Sequence, residues 1–200
     1  LRDFPFRRGE GRFEVRAQVA GAVFEYLPRW EPLRDVNADL RFTGTGMRIA
    51  LIHGRMHGMN AGRATIAIDD FLASGGAGVT VNGRIAGAAN SLIDGLEAIP
   101  DPRYNAWLPR GVRAEGNGVL TLALSIPVKR PAETTFDGHY RFLDSSIELP
   151  FRAIRVDNIR GALTFGRKGL EGGSLRASLL GSEAKLDAAT GADGVTRIDA

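Results

Sequence analysis

The sequence predicts an all-β protein, mainly antiparallel, with one short helix near residues 90–99. Three observations support this fold class. Apolar and polar residues alternate over many short segments, and side chains two residues apart lie on the same face of a strand. The chain contains 26 glycines among 200 residues, well above the usual share of about 7%, and they recur between the alternating segments. Apolar residues fall at helical spacing in a single segment.

The alternating segments are predicted strands, which follow one another at the spacing of about 8–12 residues that is typical of antiparallel β architecture. They lie at 13–19, 23–26, 33–42, 47–53, 64–68, 79–85, 119–126, 136–142, 146–149, 156–165, 174–180, 184–188 and from 196 onward. We expect a turn at 114–118. A glycine inside a strand often marks a β-bulge, so we also expect a bulge at Gly83.

The predicted helix lies within residues 88–99, where four apolar residues recur at helical spacing: Leu92, Ile93, Leu96 and Ile99. Asn90 or Ser91 can serve as its N-cap, and Pro100 stops it. This helix divides the chain into two halves rich in β-structure. We therefore expect a first β module at 1–87, a helix and linker at 88–102, and a second β module at 103–200.

One strand–turn–strand unit occurs twice, at 33–47 and at 156–170. The strand positions Val36, Ala38, Leu40 and Phe42 correspond to Ile159, Gly161, Leu163 and Phe165, and Gly46-Met47 corresponds to Gly169-Leu170. Few residues are identical, so the two segments match in the type of residue at each position rather than in its identity. We expect the two segments to form the same structural unit.

Composition and charge exclude several classes of function. The chain has no cysteine, so neither a disulfide framework nor a thiolate metal site can form. Its formal net charge is only +3, and its arginines are scattered singly, whereas a nucleic-acid-binding protein concentrates them on a stripe or helix. No apolar run approaches the roughly 20 residues that span a bilayer. Because the chain begins at Leu1 without a signal peptide, we expect an excerpt of a longer protein whose membrane anchor lies elsewhere.

The residue types that carry catalysis or bind metals do not form recognisable sites. His53 and His57 lie four residues apart, but nearby glycines favour a strand, on which four residues span about 13 Å, too far to share one zinc ion. Asp69 and Asp70 end a strand. The glycine-rich segment 75–78 lacks the Lys-Ser/Thr pair and the helix of a phosphate-binding loop. The sequence therefore predicts no enzyme activity, no metal site and no cofactor.

The strands themselves remain as the functional element, and the residues leave two architectures open. One is a sandwich, in which two sheets about 10 Å apart enclose a core. The other is a long curved sheet whose apolar concave face stays accessible to an apolar ligand. Alternation identifies the apolar face of each strand without showing what covers it.

The order and spacing of several segments resemble the central region of the YhdP family, which belongs to the AsmA-like and TamB-like envelope proteins. The segments that carry the resemblance are 11–15, 21–30, 33–42, 46–49 and 54–56 in the first half, and 116–127, 136–142 and 159–165 in the second. Together they cover almost the whole chain.

The resemblance implies a very long periplasmic protein, anchored by one N-terminal helix in the inner membrane of a Gram-negative bacterium. It implies a strongly curved antiparallel sheet that forms an elongated apolar groove for phospholipid acyl chains on their way to the outer membrane. The implied partners are phospholipid acyl chains and neighbouring β modules of the same chain, without nucleic acid. Contact with a membrane would involve only parts outside this segment.

The candidate groove lining consists of the apolar positions of the predicted strands. These are Phe13, Val15, Val19, Val36, Leu40, Phe42, Met47, Ile49, Leu51, Leu120, Leu122, Leu124, Ile126, Ile147, Leu149, Leu163 and Phe165. Each could instead pack in a closed core, in which case the chain would be a structural or protein-interaction β-domain. The helix at 90–99 could cover one end of the groove or plug it.

Overall fold

The structure, a computed structural model, describes residues 13–25, 31–98, 108, 110–149, 153–193 and 195–199. Its strands are β1 (Glu14–Phe24), β2 (Leu33–Thr43), β3 (Gly46–Met56), β4 (Met59–Ile68), β5 (Gly78–Ala88), β6 (Arg113–Pro127), β7 (Thr135–Leu149), β8 (Ile154–Gly166), β9 (Gly169–Leu179), β10 (Ser182–Thr190) and β11 (Thr196–Asp199). One α-helix, α1 (Ala89–Glu97), follows β5, and a 3-10 turn at Pro131–Glu133 precedes β7. Neither described helical segment is long and apolar enough to cross a membrane.

These strands form one open, curved sheet in which the spatial order is the chain order, β1 to β11. Every neighbouring pair is antiparallel. At a strand spacing of about 4.8 Å, eleven strands extend roughly 50 Å along the arc. The predicted fold class is therefore confirmed. The β5–β6 pairing runs from Gly78–Pro127 to Ala88–Asn117 without a register shift, and the division into two modules stays a prediction.

Several predicted boundaries differ from the structure. The segment 114–118 is not a turn but belongs to β6. The predicted strands 136–142 and 146–149 are one strand, β7, and β1 continues through the glycine at position 21. No bulge lies at Gly83, since β5 keeps its register with β6 there; the shift lies on the facing strand β4, between Ala61 and Ala64.

Helix α1 confirms the helical spacing but not the predicted cap. It begins at Ala89, with Ala88 as an N-cap that makes no side-chain hydrogen bond. Asn90 lies inside the helix, where its Oδ1 accepts a hydrogen bond from the backbone N–H of Ala114 at 3.2 Å and its Nδ2 donates to Asp94. A residue that could have capped the helix instead ties it to β6. The predicted helix end at Ile99 and Pro100 lies outside the described residues.

At several register shifts of the described strands, a residue in the interrupted stretch has a positive φ. Four of these residues are Gly21 in β1 (φ 63), Asp35 in β2 (φ 52), Asp144 in β7 (φ 52) and Asn158 in β8 (φ 53). Glycine, Asp and Asn are the residues that tolerate this conformation best. A bulge bends its strand and increases the local twist, so these four residues contribute to the curvature of the sheet.

The internal repeat extends to these bulges. Asp35 and Asn158 occupy equivalent positions of the two copies, and both have a φ near +52. The residue that follows each of them is buried, with Val36 7% exposed and Ile159 1% exposed. The two copies therefore share this bulge.

Glycines on the apolar face accommodate large side chains from the neighbouring strand. A Cβ at Gly138 would overlap the ring of Phe165, which pairs directly with it. Leu163 covers Gly173 in the same way. A missing side chain on one strand thus makes room for a large one on the next, and this pairing closes the apolar face around β6–β10.

We predict that Gly138→Ala destabilises the fold by about 1–3 kcal/mol, because overpacking forces the ring of Phe165 off its position. The measurement is urea unfolding followed by circular dichroism. Gly78→Ala in β5 is the control, since a Cβ there meets no atom within 4 Å. Equal stabilities of the two variants would contradict the packing of Phe165 on Gly138.

Candidate functional site

Cross-strand pairing aligns the apolar residues in rows that run perpendicular to the strands. Directly paired residues in an antiparallel sheet lie on the same face. One such row crosses seven strands and consists of Ala17, Leu40, Ile49, Ile66, Val81, Leu124 and Phe136. The row beside it consists of Val15, Phe42, Met47, Ile68, Val79 and Ile126. We call the face that carries these rows the inner face.

The structure brings the predicted lining residues together on this inner face, with Phe13 one residue before β1. Four of the seventeen are buried, namely Val36, Leu51, Leu120 and Phe165. Val15 is 41% exposed, and the others are half-buried. Most of the predicted positions therefore retain surface that a ligand could contact.

Burial differs between the two parts of the inner face. A cluster of ten buried residues fills the part formed by β6–β10: Leu120, Tyr140, Phe142, Ile159, Phe165, Leu170, Leu175, Ala177, Leu186 and Ala188. The cluster on β2–β4 contains only Val36, Ala38, Leu51 and Ala61 as buried members. The two rows, which are half-buried except for the exposed Val15 and Ala17, lie toward the ends of the strands nearest the 44–45 and 69–77 connections. The accessible apolar surface is concentrated there.

Helix α1 covers another part of the inner face. Ala89 and Ile93 pack with Val112 and Ala114. The predicted lining residues Ile147 and Leu149 pack against this cluster. Elsewhere on the helix, Gly95 lies next to the side chain of His57 in the β3–β4 turn. The helix therefore closes the inner face at the start of β6 and the end of β7.

The sequence prediction omitted several residues of the inner face. Ile66, Ile68, Val79 and Val81 continue the half-buried rows, and Tyr140 and Phe142 belong to the buried cluster. All six lie in segments already predicted as strands, and four of them alternate with polar residues, so the same two-residue period could have identified those four. Ile66 and Ile68 are separated by Ala67, where the alternation is weaker.

The opposite, outer face is charged, as the alternation predicts. Arg16, Arg41 and Arg48 lie in one cross-strand row. Glu14 binds the first two, at 2.6 Å and 3.0 Å, and these hydrogen bonds lower the pKa of its carboxyl to about 2. Arg48 lies 3.3 Å from the Asp69 carboxylate. Carboxylates thus offset the repulsion between arginines that face one another across strands.

A depression of about 820 Å³ lies against β1–β4. Most of the side chains around it belong to the outer face: Arg16, Gln18, Asp39, Arg41, Arg48, Ala50 and Thr65. It is therefore not the apolar groove that the sequence predicts.

The polar residues considered as candidates in the sequence lie at separate places in the described part of the chain. His53 lies in β3. His57 follows this strand, and its Nδ1 lies 2.7 Å from the carboxylate of Glu31. The third histidine of the sequence, His139, lies exposed in β7. No three His, Cys, Asp or Glu side chains of the described residues are grouped so that they could hold a metal ion.

Comparison with known proteins identifies the family of the chain. A family model described as YhdP protein matches residues 1–200, and the chain belongs to this family. It is 21% identical over 187 residues to the intermembrane phospholipid transporter YhdP of Escherichia coli (strain K12), an alignment covering 94% of the chain and 14% of that protein. The chain thus spans about a seventh of this relative's length. No solved structure matches it.

We predict that Glu14→Gln removes a stabilising contribution that depends on pH. Because Arg16 and Arg41 lower the pKa of Glu14 from 4.5 to about 2, the unfolded chain binds the proton more readily than the folded one between these values. The contribution is present above about pH 4.5 and is lost as the pH falls through 2. The difference in unfolding free energy between wild type and Glu14→Gln should be constant near neutral pH and shrink below pH 4.5.

The measurement is urea unfolding at pH values from 7 to 2. Glu183→Gln, an exposed position on β10, controls for the loss of one negative charge. A wild-type advantage over Glu14→Gln that is the same at pH 2 and pH 7 would contradict the role of the two arginines.

Proposed function

We propose that this chain is a segment of a phospholipid transporter and that its inner face shields acyl chains from water. The observation that carries the proposal is the pair of partly exposed apolar rows, which cross six and seven neighbouring strands without a charged residue. Membership in the YhdP family and the printed name of the Escherichia coli relative support it. The candidate lining residues are the seventeen predicted from the sequence together with Ile66, Ile68, Val79 and Val81.

The energetics favour such a face. Each methylene of an acyl chain exposed to water costs about 0.8 kcal/mol, so a two-chain lipid carries a large penalty outside a membrane. A row of aliphatic side chains offsets that penalty without directional contacts. Since the rows run perpendicular to the strands, an acyl chain that lies along them contacts successive strands in turn. Transport of this kind requires no catalytic residue.

We infer that the chain acts in the cell envelope, in the periplasm between the inner and the outer membrane. The anchor in the inner membrane would be supplied by a part of the longer protein outside this segment. The neighbouring β modules of that protein would extend the groove at both ends of the sheet. These inferences rest on the family and on the name of the relative.

A second function is supported by the packing around β6–β10. Ten residues of the inner face are buried there, and Phe165 and Leu163 fill the space above glycines. This closed packing favours a structural or protein-interaction β-domain without a ligand. The two functions differ in one measurable property, which is whether the half-buried rows bind lipid.

We predict that Ile66→Glu lowers phospholipid binding at least tenfold, because a carboxylate in an apolar lining has to be desolvated. Thr65→Glu is the matched control. It adds the same charge at the adjacent position of β4, but on the exposed outer face. Native mass spectrometry of the chain purified from a Gram-negative periplasm measures the bound lipid, and circular dichroism confirms folding.

Leu124→Glu, two strands away on the same row, serves as a second variant if Ile66→Glu fails to fold. Bound phospholipid in wild type and Thr65→Glu, but not in a folded inner-face variant, would support the lipid-binding face. A folded wild-type chain that carries no lipid and takes up no fluorescent acyl probe would establish the closed structural domain instead.

A further inference from the structure

We propose that the hydroxyl of Tyr140 donates a hydrogen bond to the ester carbonyl of a bound lipid. This inference rests on the proposed function and adds a polar contact to it. Tyr140 lies on the inner face, paired with Leu120 on β6 and with Leu163 on β8. It is 6% exposed, and its hydroxyl oxygen is buried without a hydrogen-bond partner among the described residues.

The surroundings of the hydroxyl are apolar. The ring of Phe142 packs edge-on against that of Tyr140, with the centroids 4.8 Å apart. The hydroxyl itself lies over Gly118 of β6, where a Cβ would overlap it. Glycine at this position thus leaves the room that the hydroxyl occupies. Because Gly118 has no side chain, the Tyr140 hydroxyl lies directly against the backbone of β6.

A buried hydroxyl without a partner destabilises a fold, and buried tyrosines usually find one. Phenylalanine would fill the same space without that cost. Burial raises the pKa of Tyr140 to about 12, so the group stays protonated at neutral pH and can donate. Ser145 gives the contrast, since this hydroxyl, 1% exposed, donates to the carbonyl of Asn117 at 2.8 Å.

The partner must be an acceptor that enters an apolar face. In a phospholipid, the ester carbonyls are acceptors placed directly beside the acyl chains, whereas the phosphate is charged and costly to bury. A neutral donor in a hydrocarbon lining therefore fits the ester. Leu92 of α1 packs against the cluster that contains Tyr140, so displacement of this helix is one route by which the carbonyl would reach the hydroxyl.

The test compares dioleoyl phosphatidylethanolamine with its dialkyl ether analogue, which lacks both carbonyls. We predict that the wild-type chain binds the ester about threefold to tenfold more tightly, as expected for one hydrogen bond, measured by displacement of a fluorescent acyl probe. Tyr140→Phe should bind the two lipids within twofold of each other and should be at least as stable as wild type.

Ser145→Ala is the control for removal of a buried hydroxyl. It should lose stability, because the Asn117 carbonyl loses its donor, but keep the preference for the ester. If Tyr140→Phe retains the wild-type ester preference, or if wild type has none, the hydroxyl does not contact the lipid and the inference is overturned. Failure of the chain to bind either lipid would instead refute the proposed function itself.

Discussion

The structure depends on unbroken antiparallel pairing between consecutive strands. Because side chains alternate along each strand, the register of one pair decides which residues of the next strand share its face. A slip by a single residue would move the whole apolar set of a strand to the outer face. The register shifts in this sheet occur at the bulges, where an extra residue restores the match between apolar sets. After the shift at Asp35, for example, Val36 still lies with the apolar residues of β2.

Since all the described strands belong to one sheet, curvature and packing within that sheet must bury the inner face. The two parts of the face reach this result differently. Around β6–β10, aromatic and leucine side chains fill the space above glycines, and the packing is close. Along β1–β5, mainly aliphatic side chains face one another across the strands, and much of their surface stays half-exposed. One continuous face thus combines a packed part, which stabilises the fold and contains Tyr140, with a half-exposed part, which we propose as the surface for acyl chains.

The alternation predicted most of the strands and many of the inner-face residues, because both follow from local spacing. It did not predict the bulges. Asp144 interrupts the alternation of β7, so the sequence suggested two strands where the structure has one. Gly116 suggested a turn, although the glycine lies within β6, where a Cβ would meet the backbone of Asp144 and Ser145. The N-cap prediction failed for a tertiary reason, since Asn90 accepts a hydrogen bond from β6. These features depend on the neighbouring strand rather than on local sequence.

The two faces of the sheet differ in their polar groups, and this difference bears on how a lipid would be held and how it would be selected. On the outer face, carboxylates pair with many of the arginines, as Glu115 and Asp157 do with Arg155 at 2.6 Å and 2.8 Å. Such exposed pairs contribute little stability each, and they keep the net charge from forming one basic patch. On the inner face, apolar contact can hold any acyl chain but cannot distinguish one lipid from another. Selection there requires a polar atom without a partner in the protein. The Ser145 hydroxyl already has a hydrogen-bond partner in the protein and stabilises the fold. The Tyr140 hydroxyl has no partner among the described residues, so it can donate a hydrogen bond to an acceptor of a bound lipid.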